Sequence, residues 1–251
     1  MREPLALVLG EDDIRALVPH PAWDTNKYAR GTVGVVGGSA AYPGAPVLAA
    51  SAAARCGAGY VRLVTTSGAT ACAHAHLLSI PVSACDQGIW GTLCATSAIQ
   101  AAQDLAKSDV ILVGPGMGTS DDSERFLEAL SQDRPMVFDA DALTLIARNH
   151  GLLDMPARHP RILTPHEGEA ARLLGRKIAN RNEDALQIAR DYEATVVLKG
   201  PETLVATLAV SVHGRAGRVA ACELSVHAVM PEDIICKIGS VLLDLEAEDN
   251  S

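Results

Sequence analysis

Three titratable side chains follow closely on short apolar runs that predict buried strands: Asp139, His166 and Lys199. A carboxylate such as Asp139 can accept hydrogen bonds from a ribose, a water molecule or a hydrated cation, and a lysine can pair with phosphate. A histidine at a strand-to-helix turn is better placed to meet a ligand than one on a helix face. Structural interpretations compete: Asp141 can cap a helix, a lone histidine is usually structural, and Lys199 can be a solvated hairpin residue.

Two glycine-rich turns supply backbone amides that could act beside these side chains. In VVGGSAAYPGAP, residues 35–46, Gly38 permits a close approach that a Cβ would forbid, and Ser39 offers a hydroxyl. In GPGMGTSDDS, residues 114–123, Gly116 and its neighbouring glycines leave amides that would fit a phosphate or pyrophosphate. Neither turn has the spacing G-x-x-x-x-G-K-[ST] or G-x-G-x-x-G, so an ordinary strand–turn–helix connection also explains each one.

The elements that must position these residues alternate between two patterns. Runs rich in Val, Ile and Leu predict strands at 32–36, 60–65, 110–113, 136–138, 161–163, 195–198 and 203–206. Amphipathic stretches predict helices at 45–55, 99–106, 123–131, 142–148, 168–174 and 182–192, and a small-residue helix after residue 206. This alternation favours an α/β fold with a mainly parallel sheet. We therefore expect a single domain over residues 1–251, with the turns converging at the carboxyl ends of the strands.

Composition and charge argue against several classes of protein. The 251 residues carry 21 Lys and Arg against 30 Asp and Glu, and this net charge of -9 disfavours nucleic-acid or membrane-surface binding. The six cysteines form no C-x-x-C pair, so we expect reduced thiols, a cytoplasmic protein and no protein-bound metal site. The N-terminal stretch has acids by residue 11 and no long apolar run, so we expect neither a signal peptide nor a membrane span.

Taken together, the turns resemble those of one enzyme family. In chain order they are KYARGTVGVVGGSAAYPGAP, GPGMG, FDADAL, LTPHEGE and VVLKG, which are similar to the ADP- or ATP-dependent NAD(P)H-hydrate dehydratases of the ribokinase-like superfamily. The likeness runs from about residue 11 to 206 and resumes from about 208 to 245. It implies a three-layer α/β/α sandwich around a mainly parallel sheet. It also implies dehydration of (S)-NADHX or (S)-NADPHX to NADH or NADPH, using ADP or ATP and Mg²⁺.

The resemblance also implies which residues bind each molecule. The hydrated dinucleotide would contact Ala45, Gly118 and His166. The adenine nucleotide would be held by Lys199, Gly200, Pro201, Glu202 and Thr203. Further candidates from the turns are Gly38, Ser39, Gly116 and Asp139. The ring hydroxyl is a poor leaving group, but once the nucleotide phosphorylates it, it leaves as phosphate. Positioning and charge neutralisation would therefore carry most of the catalysis.

One part of the family pattern is missing from this sequence. In the family, the LKG turn is followed by a glycine-rich segment ending in Gly-x-Gly-Asp, whose aspartate activates the substrate hydroxyl. Here Ala206 leads straight into TLAVSVHGRAG, and no residue can be assigned as that base. Either the segment belongs to the protein but not to this sequence, or the protein lacks it. The first explanation is favoured, because removing a core connection and a helix would damage packing.

Other functions stay open. A related kinase for a vitamin or sugar alcohol would use the same nucleotide site. A protein that lacks the aspartate would be a non-catalytic module that binds ADP or ATP without turnover. The sequence does not distinguish ADP from ATP or NADHX from NADPHX. The family resemblance suggests a homo-oligomer, and the alanine-rich helices suit either a subunit interface or internal packing.

Overall fold

The computed structural model of the chain describes residues 10–20, 24–130, 132–153, 155–200 and 207–247. Its strands are β1 Thr32–Val36, β2 Tyr60–Thr66, β3 Val82–Cys85, β4 Val110–Val113, β5 Met136–Phe138, β6 Arg161–Leu163 and β7 Thr195–Val196. They form one sheet in the order β3-β2-β1-β4-β5-β6-β7, with every pairing parallel. The chain builds outward from β1 to β3 and then crosses to the other side of β1. The order therefore reverses between β1 and β4, and such a switch point is where open α/β sheets bind ligands.

Helices connect and cover these strands. In the described ranges they are α1 Glu11–Arg15, α2 Gly44–Arg55, α3 Thr70–His76, α4 Ala95–Asp104, α5 Asp121–Ala129, α6 Asp141–Arg148, α7 Glu167–Leu174, α8 Arg181–Asp191, α9 Thr207–Leu224 and α10 Pro231–Ala247, with a short 3-10 helix at His150–Leu152. Within those ranges, no helix combines the length and apolarity that a membrane crossing requires.

The strand predictions agree closely with the structure. Strands β1, β4, β5 and β6 have the predicted bounds, and β2 ends one residue later, at Thr66. The strand predicted to reach Leu198 pairs only as far as Val196. Beyond it, Val197 N still donates to Leu163 O at 2.8 Å, so the backbone remains extended beside β6. Buried apolar runs bounded by turn residues are therefore reliable strand signals in this chain.

Several elements of the structure were not predicted from the sequence. Strand β3 has the sequence VSAC and a mostly half-buried pattern, which gives little apolar signal. Helices α1, α3 and α10 were also not predicted, and α4 begins four residues before the predicted start at residue 99. The strand predicted at 203–206 lies outside the described residues. Short or edge elements carry too little periodicity to be recognised locally.

The two faces of the sheet are covered unequally. Helices α4 to α8 pack on one face, against a fully buried cross-strand row of Val36, Val113, Phe138, Leu163 and Val196. On the opposite face, α2 and α3 pack over β1 to β3. There the neighbouring row is buried at its first member, half-buried at the next three and exposed at the last: Val35, Leu112, Val137, Ile162 and Thr195. Parallel sheets are normally covered by helices on both faces. On this face of the sheet, the burial of the row shows that the cover decreases towards β7.

The last two helices form a separate packed group. Helices α9 and α10 pack on each other, and their apolar side chains enclose Val18, which follows α1. Glu11 of α1 forms an ion pair with Arg215 of α9. Helix α10 also packs against α2. Helix α2 carries the predicted site residue Ala45 near its start, so α10 contacts one of the elements that form the site.

Candidate active site

The turn after β1 lies against the turn after β4, at the switch point of the sheet. Gly38 has φ +83°, and its N–H donates to the Pro115 carbonyl at 2.9 Å. A Cβ on Gly37 would collide with the same carbonyl oxygen, so glycine is required for this close approach. Ser39 is buried, and its Oγ accepts a hydrogen bond from Tyr42 N at 3.3 Å. The Ser39 hydroxyl therefore supports the turn from inside.

Ala45 and the GPGMG turn share the crevice at this switch point. Gly114, Gly116 and Gly118 have φ values of +127°, +65° and +80°, which side chains disfavour. A Cβ on Gly116 would lie 2.7 Å from the Tyr42 carbonyl oxygen and 3.1 Å from Ala45 Cβ. The structure thus brings together Ala45 and Gly116, which lie 71 residues apart in the sequence.

Asp141 belongs to this turn and does not cap a helix, so the capping prediction is wrong. Helix α6 begins at Asp141, and its N-cap is Ala140, which has φ +50° and makes no side-chain cap. The Asp141 carboxylate instead accepts a hydrogen bond from Gly118 N at 2.9 Å. Gly118 was predicted to contact the dinucleotide, and its N–H is already engaged within the protein.

Lys199 bridges the ends of three strands. Its Nζ lies 2.7 Å from Asp139 Oδ1, after β5, and 3.8 Å from Glu169 Oε2, near the start of α7. The lysine backbone N–H donates to Pro165 O, after β6, at 2.8 Å. The Lys199 side chain is 41% exposed and that of Asp139 is 30% exposed, so a ligand can reach both. The predicted ligand residues Asp139 and Lys199 are in direct contact.

His166 caps α7 and also presents its ring to solvent. Its Nδ1 accepts hydrogen bonds from Gly168 N at 2.9 Å and from Glu169 N at 3.3 Å. A nitrogen that accepts two N–H groups holds a lone pair, so the proton of the neutral ring lies on Nε2, 3.3 Å from Glu169 Oε1. The side chain is 55% exposed. The structural and the ligand-facing interpretations of His166 are therefore compatible.

Glu169 connects His166 to Lys199. Its side chain is 6% exposed, and its Oε2 accepts from His166 N at 2.8 Å while lying 3.8 Å from Lys199 Nζ. This reciprocal arrangement with His166 is a capping box. The spacing H-x-x-E in LTPHEGE is the signal that could have identified it.

Arg181 holds the LKG turn in place, and the sequence analysis did not identify it. Its Nη2 donates to the carbonyls of Leu198 at 3.2 Å and Lys199 at 3.3 Å, and its Nη1 pairs with Glu167. A Cβ on Gly200 would lie 2.6 Å from this Nη2, so glycine permits the guanidinium to approach. The other predicted nucleotide residues, Pro201, Glu202 and Thr203, lie outside the described residues.

Asp184 orders the loop that leads to Arg181. This buried carboxylate accepts hydrogen bonds from Arg176 Nη2 at 2.6 Å, Ala179 N at 2.7 Å and Asn180 N at 3.1 Å. The Arg176 guanidinium, followed by the two backbone N–H groups, lowers the pKa of Asp184 to about 2, against the cost of burial. Asp184 therefore fixes the start of α8, from which Arg181 extends.

A second unpredicted component is the loop Gln87–Leu93, which we call the 87–93 loop. Thr92 is buried, and its Oγ1 lies 2.8 Å from Ser120 Oγ in the turn after β4. A Cβ on Gly118 would lie 2.8 Å from Thr92 Cγ2. On its other side, Gly91 O accepts a hydrogen bond from Ala40 N at 2.9 Å. The loop therefore touches both glycine-rich turns of the crevice.

A separate cavity lies at the opposite edge of the sheet, near the amino ends of β1 and β2. Its volume is about 390 Å³, and Tyr28, Tyr60, Arg62 and Lys107 are among its lining residues. It contains none of the residues predicted to bind ligand. The carboxyl ends of the strands combine exposed polar groups with close backbone approaches, so we assign the candidate active site there.

The crevice suits phosphate chemistry. Lys199 offers a cation at the ends of β5 to β7, and Ala45 with the glycine-rich turns forms the wall at β1 and β4. In the part of the chain that the structure describes, no group of three or more His, Cys, Asp or Glu side chains could hold a metal ion. Magnesium commonly binds through nucleotide phosphates, waters and one or two carboxylates. Asp139 fits that limited role, because it is a partly exposed carboxylate beside Lys199, the lysine predicted to pair with phosphate.

Known structures show the class of fold. The structure superposes with a TM-score of 0.79 on a ribokinase-like superfamily protein from Enterococcus faecalis, at 18% identity, covering 98% of both chains. The TM-score is also 0.79 for the ADP/ATP-dependent NAD(P)H-hydrate dehydratase from Bacillus subtilis co-crystallized with ATP/Mg²⁺, at 22% identity, covering 94% of this chain and 98% of that one. The predicted ribokinase-like α/β fold is confirmed.

Sequence comparison shows the family. The family model described as NAD(P)H-hydrate dehydratase (Carb_kinase) matches residues 33–213, and the chain belongs to this family. It is 36% identical over 198 residues to the bifunctional NAD(P)H-hydrate repair enzyme Nnr of Salinibacter ruber. This match covers 77% of the present chain and 36% of the Salinibacter protein. The Escherichia coli enzyme of the same name is 35% identical over 187 residues, covering 72% and 33% respectively. The chain thus matches about a third of the length of these relatives.

Proposed function

We propose that this protein uses ADP or ATP, with Mg²⁺, to dehydrate (S)-NADHX or (S)-NADPHX to NADH or NADPH. The observation that carries the proposal is that the carboxyl ends of the strands bring Ala45 close to Gly116 beside β1 and β4, and Asp139 into contact with Lys199 beside β5 and β7. Membership of the family supports the same reaction. Two phosphate-bearing molecules that must meet could each occupy one of these two places along the carboxyl ends of the strands.

In this proposal the two ends of the crevice have different tasks. Lys199 neutralises the phosphates of the adenine nucleotide, and Arg181 keeps the LKG turn in position through the Leu198 and Lys199 carbonyls. His166 presents Nε2–H beside the hydrated ring. Ala45 and the glycine-rich turns contact the rest of the dinucleotide. Mg²⁺ would neutralise further charge at the phosphates, and the Asp139 carboxylate would be its ligand from the protein.

A second candidate function is nucleotide binding without turnover. The specific observation favouring it is the absence of Gly-x-Gly-Asp from the sequence, since the family aspartate that activates the hydroxyl has no counterpart after Ala206. The decreasing cover of the sheet towards β7 agrees with a missing packing element on that side. The described carboxylates of the crevice are already engaged: Asp139 by Lys199, Asp141 by Gly118 and Glu169 by His166.

One experiment separates the two functions. The full chain is incubated with hydrated NADH, ADP and Mg²⁺, and recovery of the absorbance of the reduced nicotinamide ring is followed. A dehydratase restores this absorbance only when nucleotide is present. If there is no recovery while ADP still raises the melting temperature, the dehydratase proposal is rejected in favour of the binding module. If ADP changes neither the absorbance nor the melting temperature, both candidate functions are rejected.

All six cysteines are unpaired thiols, which agrees with the reducing environment of the cytoplasm. We propose a cytoplasmic homo-oligomer without nucleic-acid or membrane partners. Sedimentation of the purified chain tests the assembly, and a monomer at micromolar concentration would contradict it.

A further inference from the structure

Three large apolar side chains are exposed beside the dinucleotide end of the crevice. Tyr42 is 63% exposed, and in the 87–93 loop Ile89 is 91% and Trp90 is 68% exposed. The Tyr42 backbone lies close to Gly116, because a Cβ on that glycine would be 2.7 Å from the Tyr42 carbonyl oxygen. Side chains of this kind are usually covered. Here they lie on two turns that the hydrogen bond from Ala40 N to Gly91 O joins, beside the proposed dinucleotide site, and this indicates a contact surface.

The 87–93 loop that carries Trp90 is held in a defined position. Gly91 N donates to Gly88 O at 3.0 Å, and Gly88 N donates to Thr92 O at 2.9 Å, which closes the tip into a tight turn. Leu93 is fully buried at the base of the loop. The hydrogen bond that Ala40 N donates to Gly91 O connects the loop to the first glycine-rich turn. The hydrogen bond between the Thr92 and Ser120 hydroxyls connects it to the second. Trp90 is therefore presented at a fixed place beside the crevice.

The direction of the dinucleotide follows from the proposed reaction. The hydrated ring must meet a phosphoryl group of the adenine nucleotide, and in the proposed function Lys199 holds those phosphates at the ends of β5 to β7. The adenylate half of the dinucleotide must then extend the other way. Strands β5 and β1 are two positions apart, about 10 Å. The surface reached in that direction carries Tyr42 and Trp90.

We propose that Tyr42 and Trp90 form an aromatic platform that stacks with the purine ring of the hydrated dinucleotide. Flat aromatic side chains and bases stack favourably without base-specific hydrogen bonds, and Trp and Tyr carry this role at little cost in side-chain entropy. This inference rests on the proposed function, because the dinucleotide is the molecule that function assigns to the crevice. It adds the recognition of the half of the substrate that does not react.

The experiment uses the full chain with NAD⁺ as the probe and NMN⁺, which lacks the adenylate half, as the matched ligand. Trp23→Phe leaves Trp90 as the single tryptophan, so its fluorescence reports occupancy of the platform. We expect NAD⁺ to quench this emission saturably and NMN⁺ to have little effect. By calorimetry, Tyr42→Leu and Trp90→Leu should each weaken NAD⁺ binding about tenfold and leave NMN⁺ binding unchanged. Leu78→Ala is the control. Leu78 is 94% exposed, but it precedes β3 and so lies at the amino end of that strand, away from the 87–93 loop at its carboxyl end.

Several results would overturn the inference. NAD⁺ affinity unchanged in both platform variants refutes the platform alone, and the proposed function stands. An equal loss of NAD⁺ and NMN⁺ affinity assigns the aromatic residues to support of the crevice and not to purine stacking. A change in oligomeric state with unchanged NAD⁺ affinity assigns them to a subunit contact. Failure of the wild-type chain to bind NAD⁺ at all removes the platform and also counts against the dehydratase proposal.

Discussion

Replacing Lys199 by methionine tests the nucleotide end of the crevice. The substitution removes the ammonium group and keeps an unbranched apolar chain. Nζ lies 2.7 Å from Asp139 Oδ1, but the two side chains are 41% and 30% exposed, so water can replace the lost partner. Glu169 keeps its hydrogen bond from His166 N at 2.8 Å. We therefore expect Lys199→Met to cost less than about 1 kcal/mol of folding stability.

The expected effect on binding is much larger. A hydrogen bond to a charged group contributes about 1.5 to 3 kcal/mol. If Lys199 donates such a bond to a nucleotide phosphate, its loss raises the Kd for ADP about 10- to 160-fold. The contrast between a small effect on stability and a large effect on affinity distinguishes a ligand-binding lysine from a structural one.

Calorimetric titration with ADP and thermal unfolding of the same samples measure the two quantities. Lys107→Met is the matched control, because Lys107 is exposed beside the cavity at the opposite edge of the sheet. An unchanged Kd for ADP in Lys199→Met would refute the assignment of this lysine to phosphate. An equal loss of affinity in Lys107→Met would show that the effect is one of overall charge.

Three further predictions follow from contacts in and near the crevice. Asp139→Asn removes a negative charge close to the proposed phosphates and frees Lys199 from its ion pair. Calorimetry without Mg²⁺ should therefore show several-fold tighter ADP binding. Weaker ADP binding would contradict this prediction. Gly118→Ala places a Cβ 2.8 Å from Thr92 Cγ2 at φ +80°, and urea unfolding should show a loss of about 1 to 3 kcal/mol. Asp184 has a pKa lowered from 3.8 to about 2, so it stabilises the fold above pH 4, and this contribution is lost as the pH falls towards 2. Asp184→Asn should cost about 2 kcal/mol at pH 7, and a gap from wild type that does not narrow as the pH is lowered below 4 would count against the assignment.

The strands of the central sheet could be predicted because their signals are local. Buried runs such as Val110–Val113 and Met136–Phe138 are bounded by glycine, proline or aspartate, and their observed bounds match the prediction. In a parallel sheet their carboxyl ends must share one edge, so the convergence of Asp139, His166 and Lys199 could also be expected.

The partners of these residues could not be predicted, because they depend on contacts between distant parts of the chain. Asp141 stands where a helix cap is expected, yet Gly118, 23 residues earlier, donates the hydrogen bond that occupies it. Arg181 reaches the LKG turn from the start of another helix, and no spacing in the sequence reveals that contact. The 87–93 loop contains no charged residue, so its approach to Gly118 through Thr92 also left no chemical signal.

Strand β7 is the least protected strand of the sheet, because it pairs over only two residues and contributes Thr195, the exposed last member of the half-covered row. Amide hydrogens there should exchange at a lower opening free energy than those of β1, which is enclosed by α2 and supported through it by α10. Lys199 follows the less protected strand, β7, and Ala45 follows the enclosed strand, β1. A ligand that spans the crevice would therefore slow exchange mainly around β6 and β7, and its binding would include the entropic cost of ordering those strands.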